Sequence, residues 1–402
     1  MSNTSELAMA SFVPSVPTIR ASDYSTVLND PFLYFLTRRL GMTPSLSYSE
    51  CLSHGSWVHA AAECDPFANP SSSEPALLAG VRSRLASRLG ELRASCTRWN
   101  VTGESLAAIL RTEEEDAYEG LAMYSAARDY VFNDGTSIRS KLASFVPVCR
   151  EQVLTLHDPS YPDCPLVIQP DLLAIHRIRD LNYLWIIDYK TTDKPAALRL
   201  SICPIEHQTL HYIYVVSQLL ASGQLHALFP NLPKNTTLAG MAHIAIGKPG
   251  IRLCSKDRPF TLDTTPFKSG PRKGTPRNER IYHGEPSFEN YLTRVLSWYT
   301  ATDEYCHLAP EWAASPPVNI SWIRCPALLG RHLASYHART RLIYDYATRD
   351  PDPLLFPMNP NNLIPHRNES VWFPFAFKPI PEWPALMRRN RIEIKPRPGD
   401  RP

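Results

Sequence analysis

The stretch LVIQPDLLAIHRIRDLNYLWIIDYK, residues 166–190, decides the fold. Two runs rich in β-branched and aromatic residues flank the polar turn HRIRDLN, and this pattern predicts an antiparallel hairpin. Asp171 follows Pro170 in the first run, whereas Asp188 and Lys190 end the second run. Residues two apart on a strand project from the same face, so Asp188 and Lys190 share a face. We therefore expect two carboxylates and one amine to converge at one edge of a sheet.

Two convergent aspartates beside a lysine suit phosphodiester chemistry. Mg²⁺ prefers oxygen ligands and is commonly held by one or two carboxylates together with substrate phosphate. The backbone carbonyl of Tyr189 would add a further oxygen, and Lys190 would orient a water and neutralise charge on the phosphoryl oxygens. The alternative is that Asp171 caps a strand end and that Asp188 and Lys190 form a surface ion pair.

The order Pro170-Asp171, then Asp188-x-Lys190, resembles the signature of the PD-(D/E)xK nucleases. In that family the two acids bind metal and the lysine is catalytic. The chain departs from the usual pattern of the family's RecB-like branch, which has G-R-x-D at the first acid where this sequence has residues 168–171, IQPD. This departure keeps both acids but leaves the start of the strand undefined.

Two further motifs resemble the RecB-like exonuclease branch, which occurs in bacteria and their phages. Gln208 and Tyr212 match its Q-x-x-x-Y motif, and Gly55 with His59 matches its G-x-x-x-H motif. The resemblance implies that His59 joins the metal ligands and that Gln208 and Tyr212 contact DNA. Residues four apart share one face of a helix, so Gln208 and Tyr212 can act together.

The resemblance implies both a fold and an activity. The fold is α/β, a restriction-endonuclease-like core with a small mixed β-sheet flanked by helices, a helical insertion and an extended C-terminal tail. The activity is that of a Mg²⁺- or Mn²⁺-dependent DNA nuclease, more specifically an exonuclease of DNA recombination or processing. The predicted site consists of catalytic Asp171, Asp188 and Lys190, metal ligands His59, Asp171, Asp188 and Tyr189, and DNA contacts Gln208 and Tyr212.

The cofactor and partner predictions also follow from the resemblance. Members that carry an iron–sulfur cluster have one cysteine in the opening helix and three near the C-terminus. The equivalent opening position here is Val27 and the last cysteine is Cys325, so we expect no cluster, because four thiolates are needed. DNA is the implied partner, together with a recombination protein, and the oligomeric state stays open.

Composition and local patterns suggest how the chain is divided. We expect a disordered N-terminus over 1–21, a nuclease domain over 22–305 with a helical insertion at 72–142, and a C-terminal extension rich in Pro and aromatic residues over 306–402. Hydrophobic residues make up 44% of the chain, enough for a substantial core. Nine scattered cysteines, no signal peptide and no membrane span favour a cytoplasmic protein. The resemblance implies that this cytoplasm is that of a bacterium or a phage-infected host cell.

Several alternatives remain open at this stage. In the strand predicted over 144–157, Glu151 is either an additional acid of the site or an exposed strand residue. Residues 245–300 contain ten Lys or Arg against five acids, which fits either phosphate attraction or plain solubility. His207 and His211 have the spacing of zinc peptidase ligands, but Gln208 replaces the glutamate that such enzymes use as general base. A DNA-binding module with the same fold and no activity is the other alternative.

Overall fold

A mixed five-stranded sheet lies at the centre of the protein and confirms the predicted α/β class. The computed structural model describes residues 17–44, 50–65, 74–277, 279–299, 316–350, 352–359, 375, 378 and 382–394. The strands are β1 (Ile19–Arg20), β2 (Met42–Pro44), β3 (Phe145–Arg150), β4 (Leu154–Leu156), β5 (Leu166–Ile168), β6 (Leu172–Ile178), β7 (Leu181–Thr192), β8 (Thr236–Gly247), β9 (Phe260–Asp263), β10 (Glu279–Tyr282), β11 (Val318–Arg324) and β12 (Ile392–Ile394). The central sheet has the order β11-β8-β7-β6-β3, in which only β7 and β8 run parallel.

Helices cover both faces of this sheet. They are α1 (Asp23–Asn29), α2 (Pro31–Tyr34), α3 (Glu50–Cys64), α4 (Glu74–Arg98), α5 (Gly103–Arg128), α6 (Ile138–Leu142), α7 (Ala196–Ile202), α8 (His207–Ala221), α9 (Gln224–Leu228), α10 (Phe288–Tyr299), α11 (Cys325–Thr348) and α12 (Trp383–Arg389). A π-helical turn over Phe35–Arg39 extends α2, and single 3₁₀ turns lie at Cys203–Ile205, Ser255–Asp257 and Pro353–Leu355. Helices α4, α5 and α6 therefore lie in sequence between α3 and β3, where the sequence predicts an insertion.

The hairpin predicted from residues 166–190 is present as β6 and β7. These strands pair antiparallel from Leu172 opposite Ile187 to Ile178 opposite Leu181, and the turn is Arg179-Asp180. Arg179 has a φ of 55°, in the left-handed region that tight hairpin turns require. The turn is shorter than the predicted one, because the β-forming residues on both sides continue the ladder as far as Ile178 and Leu181.

The two strands predicted over 144–157 and 166–176 are each divided into two, which corrects the sequence-based expectation. The first becomes β3 and β4, and the second becomes β5 and β6. Strands β3 and β6 pair in the central sheet, whereas β4 and β5 pair in a second sheet of order β1-β5-β4. Pro170 has no N–H for a central ladder, and Glu151 has a φ of 48°, so the strand pair changes sheets at both positions.

Each face of the central sheet has its own hydrophobic core. Leu172, Ala174 and Ile187 pack with α3, α4 and α5 on one face. Leu173 and Ile186 pack with α8 and α11 on the other face. Since side chains alternate along a strand, Asp188 and Lys190 leave β7 on the same face as Ile186, toward α8.

The chain ends also contribute to the structure. Ile19 and Arg20 form β1, which pairs with β5, so the disorder predicted through residue 21 is wrong for these two residues, whereas residues 1–16 lie outside the described chain. In the C-terminal region, Phe375 and Trp383 are buried against the opening segment, and β12 pairs with β2. None of the helices in the described ranges has the length and hydrophobicity that crossing a bilayer requires.

Candidate metal centre

Helix α3 positions His59 beside the central sheet. A Cβ atom at Gly55 would lie 3.3 Å from Oγ1 of Thr191, so the glycine lets α3 approach β7 closely. A Cβ at Gly120 of α5 would clash with Trp57 of α3, so this second glycine lets α5 pack tightly against α3. The G-x-x-x-H spacing thus places His59 one helical turn beyond the point of closest approach.

His59 meets two carboxylates that come from the divided strands. Its Nδ1 lies 3.0 Å from Oδ1 of Asp171 and 3.7 Å from Oε1 of Glu151. One ligand atom of each residue lies within 4.8 Å of the others, and within the described ranges no other trio of this kind occurs. Glu151 and Asp171 lie at the two positions where the strand pair changes sheets, so the bend itself brings the carboxylates together. Glu151 is therefore part of the site rather than an exposed strand residue.

The second oxygen of Asp171 is held by the backbone. Oδ2 accepts a hydrogen bond of 2.6 Å from the N–H of Tyr189. Strand β6 pairs with β7 only as far as Ile187, so this N–H lies beyond the last residue that β6 covers. Tyr189 itself lines neither cavity, so the metal-ligand role predicted for its carbonyl stays a prediction.

Asp188, Lys190 and Gln208 form a second group on the same face of β7. Nζ of Lys190 lies 2.9 and 3.1 Å from the two oxygens of Asp188 and donates to Oε1 of Gln208 at 2.8 Å. Nε2 of Gln208 donates to Oδ1 of Asp188 at 3.3 Å. Asp188 lies outside the trio of His59, Glu151 and Asp171, but its side chain lines the same cavity.

His243 is a site residue that the sequence did not reveal. It lies opposite Asp188 in the β7–β8 ladder and is fully buried. Its Nδ1 is 3.0 Å from Oδ2 of Asp188, and its Nε2 is 2.9 Å from Oγ1 of Thr209. A carboxylate can only accept, so Nδ1 donates to Asp188. The available signal was a histidine in the otherwise apolar run LAGMAHIAIG.

Tyr212 and Gln169 hold the bend in place. The hydroxyl of Tyr212 is buried and donates to the backbone carbonyl of Gln169 at 2.9 Å. The side-chain amide of Gln169 donates to the backbone carbonyl and to Oε2 of Glu151. Helix α8 thus fixes the segment that carries Asp171, and the DNA contacts predicted for Gln208 and Tyr212 remain predictions.

The ionisation of the site reflects an excess of negative charge. Burial alone would lower the pKa of His59, but Asp171 and Glu151 raise it to about 10. Burial raises the pKa of Asp171, and the charge of Asp188 adds to this effect. Burial opposes ionisation of Asp188, yet Lys190 and His243 hold its pKa well below the usual range. Burial likewise opposes the charge on Lys190, but Asp188 and Asp171 raise its pKa, so the amine is protonated at neutral pH.

Two cavities meet at the centre. The first has a volume of about 610 Å³ and contains Asp188, Lys190 and Gln208 in its wall. The second, of about 670 Å³, lies toward α3 and is bordered by Arg84 and Lys248. His59, Glu151 and Gln169 line both cavities. Glu151 thus borders both cavities, whereas Asp171 and Asp188 border only the first.

The zinc-peptidase alternative finds no support at His207 and His211. Both nitrogens of His211 are engaged, Nδ1 with the hydroxyl of Tyr336 at 3.1 Å and Nε2 near the carbonyl of Val167 at 3.3 Å. The ring of His207 stacks between Tyr24 and Tyr336 in a buried aromatic cluster. Across the described residues, no group of three metal-binding side chains includes either histidine.

The donor set fits a divalent cation. Two carboxylates and one imidazole surround a single point, and the raised pKa of His59 shows that this point favours positive charge. One oxygen of Asp171 accepts from the Tyr189 N–H. Both oxygens of Asp188 have protein donors, His243 at Oδ2 and Gln208 at Oδ1, with Lys190 close to both. Such partners fix the orientation of metal-binding carboxylates.

A comparison with known protein families gives a match for this chain. The sequence model of the PD-(D/E)XK nuclease superfamily matches residues 19–246, more than half of the chain. The match includes His59, Glu151, Asp171, Asp188, Lys190, Gln208, Tyr212 and His243. No curated protein matches the chain significantly.

Proposed function

Because the chain belongs to the PD-(D/E)XK nuclease superfamily, we propose that it is a Mg²⁺- or Mn²⁺-dependent deoxyribonuclease. The observation that carries this proposal is the meeting of His59, Glu151 and Asp171 beside the Asp188–Lys190 pair in one cavity. The coarser activity, a metal-dependent nuclease, is that of the superfamily. Mg²⁺ or Mn²⁺ as the ion and DNA as the substrate are our proposals.

We assign metal binding to His59, Asp171 and Asp188, with the carbonyl of Tyr189 as a further oxygen and Glu151 as an added acid. A divalent ion in this position supplies positive charge that polarises the phosphodiester and lowers the pKa of water. Oδ1 of Asp171 is the oxygen that the Tyr189 N–H does not engage, and it faces His59. Oδ1 of Asp188 accepts from Lys190 and Gln208, so it would exchange one of these bonds for the ion. The carboxylates are thereby oriented before substrate arrives.

Lys190 contributes a fixed positive charge. Its raised pKa keeps the amine protonated, so it acts as a hydrogen-bond donor to the attacking water or the phosphoryl oxygens and not as a general base. Gln208 accepts from Nζ and limits its movement. In the substrate complex we expect Gln208 and Tyr212, which line the first cavity, to contact the DNA backbone.

We further propose that the protein is an exonuclease of the RecB-like branch, acting in recombination or DNA processing in a bacterium or its phage. The Gly55–His59 and Gln208–Tyr212 motifs support this assignment. A nuclease domain over 22–305, with 72–142 as a helical insertion and 306–402 as an extension, fits the placement of α4 to α6 between His59 and β3. A recombination protein is the proposed partner.

The test compares linear and covalently closed circular DNA, end-labelled where linear, with Mg²⁺, with Mn²⁺ and with EDTA. We expect metal-dependent degradation of the linear form only. Lys190→Ala should lose about a hundredfold or more in kcat, the usual effect of removing one transition-state donor. Lys141→Ala, which removes a surface lysine paired with Asp134, is the matched control and should keep full activity.

Three outcomes would contradict parts of the proposal. If Lys190→Ala digests DNA as fast as the parent protein, the role of Lys190 is wrong. Cleavage of the closed circle would replace the exonuclease assignment with an endonuclease. Binding of DNA without hydrolysis in any metal would establish the inactive binding module instead.

A further inference from the structure

A two-stranded arm, residues 259–285, projects from the protein. Strands β9 and β10 pair antiparallel, with Phe260 opposite Tyr282 and Asp263 opposite Glu279. Among the described residues of the arm, all are exposed except Asp263 and Phe267, which are half-buried. Isolated hairpins are only marginally stable in water, and burial in the core does not stabilise this one. Packing therefore does not account for the presence of the arm.

The base of the arm is anchored firmly. Asp257 is buried and accepts from the guanidinium of Arg294 at 2.8 and 2.7 Å. The N–H of Leu253 donates to Glu119 of α5. Residues 249–258 connect this base to Lys248, which lines the second cavity. The arm thus rises from a fixed base that residues 249–258 join to the wall of the second cavity.

The two faces of the arm differ in chemistry. Opposed residues of an antiparallel pair project from the same face, so Phe260, Leu262, Arg280 and Tyr282 share one face. The guanidinium of Arg280 lies 4.7 Å from the ring centre of Phe260, and the rings of Phe260 and Tyr282 are 6.1 Å apart. The acids Asp263 and Glu279 belong to the opposite face. The aromatic face is therefore cationic and exposed.

The tip of the arm, residues 264–277, carries four basic residues and no acidic one. Arg272 and Arg277 lie 4.5 and 5.5 Å from the ring centre of Phe267. Within the described ranges, no carboxylate pairs with Lys268, Arg272 or Lys273. Arginine and aromatic planes, open to solvent and next to unpaired cations, are the features that bind unpaired bases and their phosphates.

We propose that the arm binds single-stranded nucleic acid, with bases on the Phe260–Tyr282 face and phosphates at the tip. The proposal rests on the proposed nuclease function and identifies where the substrate strand is held outside the catalytic cavity. A duplex is the less suitable occupant, because its bases are already stacked on one another and offer no face to the aromatic rings. The cations of the tip match the charge of a phosphate backbone.

The first test measures binding without catalysis. Anisotropy of a fluorescein-labelled oligothymidine of about 20 nucleotides is recorded in EDTA at several salt concentrations. Each phosphate contact on a single strand contributes about 0.7 to the slope of log affinity against log salt concentration, so the loss of two contacts lowers this slope by about 1.4. The affinity of Arg272→Gln/Lys273→Gln should therefore fall between 50 and 200 mM salt by a factor about seven times smaller than that of the parent protein. The control Arg341→Gln/Lys378→Gln removes the same charge elsewhere and should keep the parent slope. Equal slopes for both double variants would overturn the proposal.

The second test uses neighbouring residues on opposite faces. Tyr282→Ala should weaken binding of the oligothymidine about tenfold or more, as loss of one stacked base does. Ile281→Ala removes an exposed apolar side chain from the other face and should bind as the parent does. Because both side chains are exposed, neither change should lower the melting temperature appreciably. Equal losses for the two variants, or none for Tyr282→Ala, would refute the aromatic face as the binding surface.

Hydrolysis assays on the same proteins separate this proposal from the nuclease function. If none hydrolyses DNA but the arm variants still lose binding, the nuclease function is wrong and the arm proposal stands. If the parent protein hydrolyses DNA and the arm variants bind it equally well, the arm proposal is wrong and the nuclease function stands.

Discussion

Metal binding at the centre is expected to displace a proton from His59. In the metal-free protein the pKa of this imidazole is about 10, so it is protonated at neutral pH. A histidine must be deprotonated to bind a metal, so each ion should release one proton. The apparent affinity for Mn²⁺ should then rise about tenfold per pH unit below pH 10, which amounts to about thirtyfold between pH 7 and 8.5.

The assay is isothermal titration with Mn²⁺ in two buffers of different ionisation enthalpy, which counts released protons directly. His59→Gln should bind more weakly, and its affinity should vary much less with pH. His157→Gln, which changes an exposed histidine away from the centre, is the matched control and should behave as the parent protein does. If the parent protein releases no proton, or if its affinity is constant over this range, His59 is not a protonated metal ligand.

The same imidazole should make the stability of the metal-free protein depend on pH. Its pKa in the folded protein is about 10, above the ordinary value of 6.5, so its stabilising contribution is fully present below pH 6.5 and is lost as the pH rises toward 10. Melting temperatures in EDTA should therefore fall over this window, and this part of the decrease should be absent in His59→Gln. His243→Leu should weaken metal binding about 10- to 100-fold, because Asp188 loses the hydrogen bond that orients it. His243→Asn should recover part of the loss, since its amide donates to the same oxygen. Calorimetry measures both affinities, and equal affinity for His243→Leu and the parent protein would contradict the role of His243 in orienting Asp188. Tyr212→Phe should lower the free energy of unfolding by about 1 kcal/mol, since it removes the hydrogen bond to the Gln169 carbonyl; chemical denaturation measures this, and an unchanged midpoint would show that the bond contributes nothing.

Local sequence signals predicted the parts of the site that local structure determines. The alternation in residues 181–190 placed Asp188 and Lys190 on one strand face, and four-residue spacing placed Gln208 and Tyr212 on one helix face. These relations depend only on the repeat of a strand or a helix. The structure accordingly brings Gln208 against Lys190 and Asp188, and Tyr212 against the segment that carries Asp171.

The features that the sequence left open or missed arise from contacts between distant segments. Glu151 enters the site because the chain bends both at Glu151, between β3 and β4, and at Pro170, between β5 and β6, and these bends lie side by side. The sequence of either segment alone does not show where the other segment bends. His243 lies beside Asp188 only because β7 and β8 pair in one particular register. A single sequence contains no direct signal of register between parallel strands joined by a long crossover. The polar character of His243 within an apolar run was the one local clue.

The β-arm shows how local composition can describe a region and still miss its structure. Pro, Gly and Ser over 265–287 predict a mobile basic loop, yet β10 lies within this range and pairs with β9, which ends just before it. The strand residues FTLD and ERIY alternate weakly, since neither face of the hairpin is buried. Periodicity follows from burial, so an exposed hairpin leaves little periodic signal.

Strand β6 pairs with β7 only as far as Ile187, so beyond this residue β6 no longer covers the edge of β7. Such an uncovered strand invites a second molecule to add a strand of its own, the first step toward exchanged dimers and aggregates. Asp171 occupies the open N–H of Tyr189 with an oxygen that cannot donate in return, and its negative charge repels an incoming carbonyl. The carboxylate that we assign to the cation thereby also takes up the Tyr189 donor that an added strand would need.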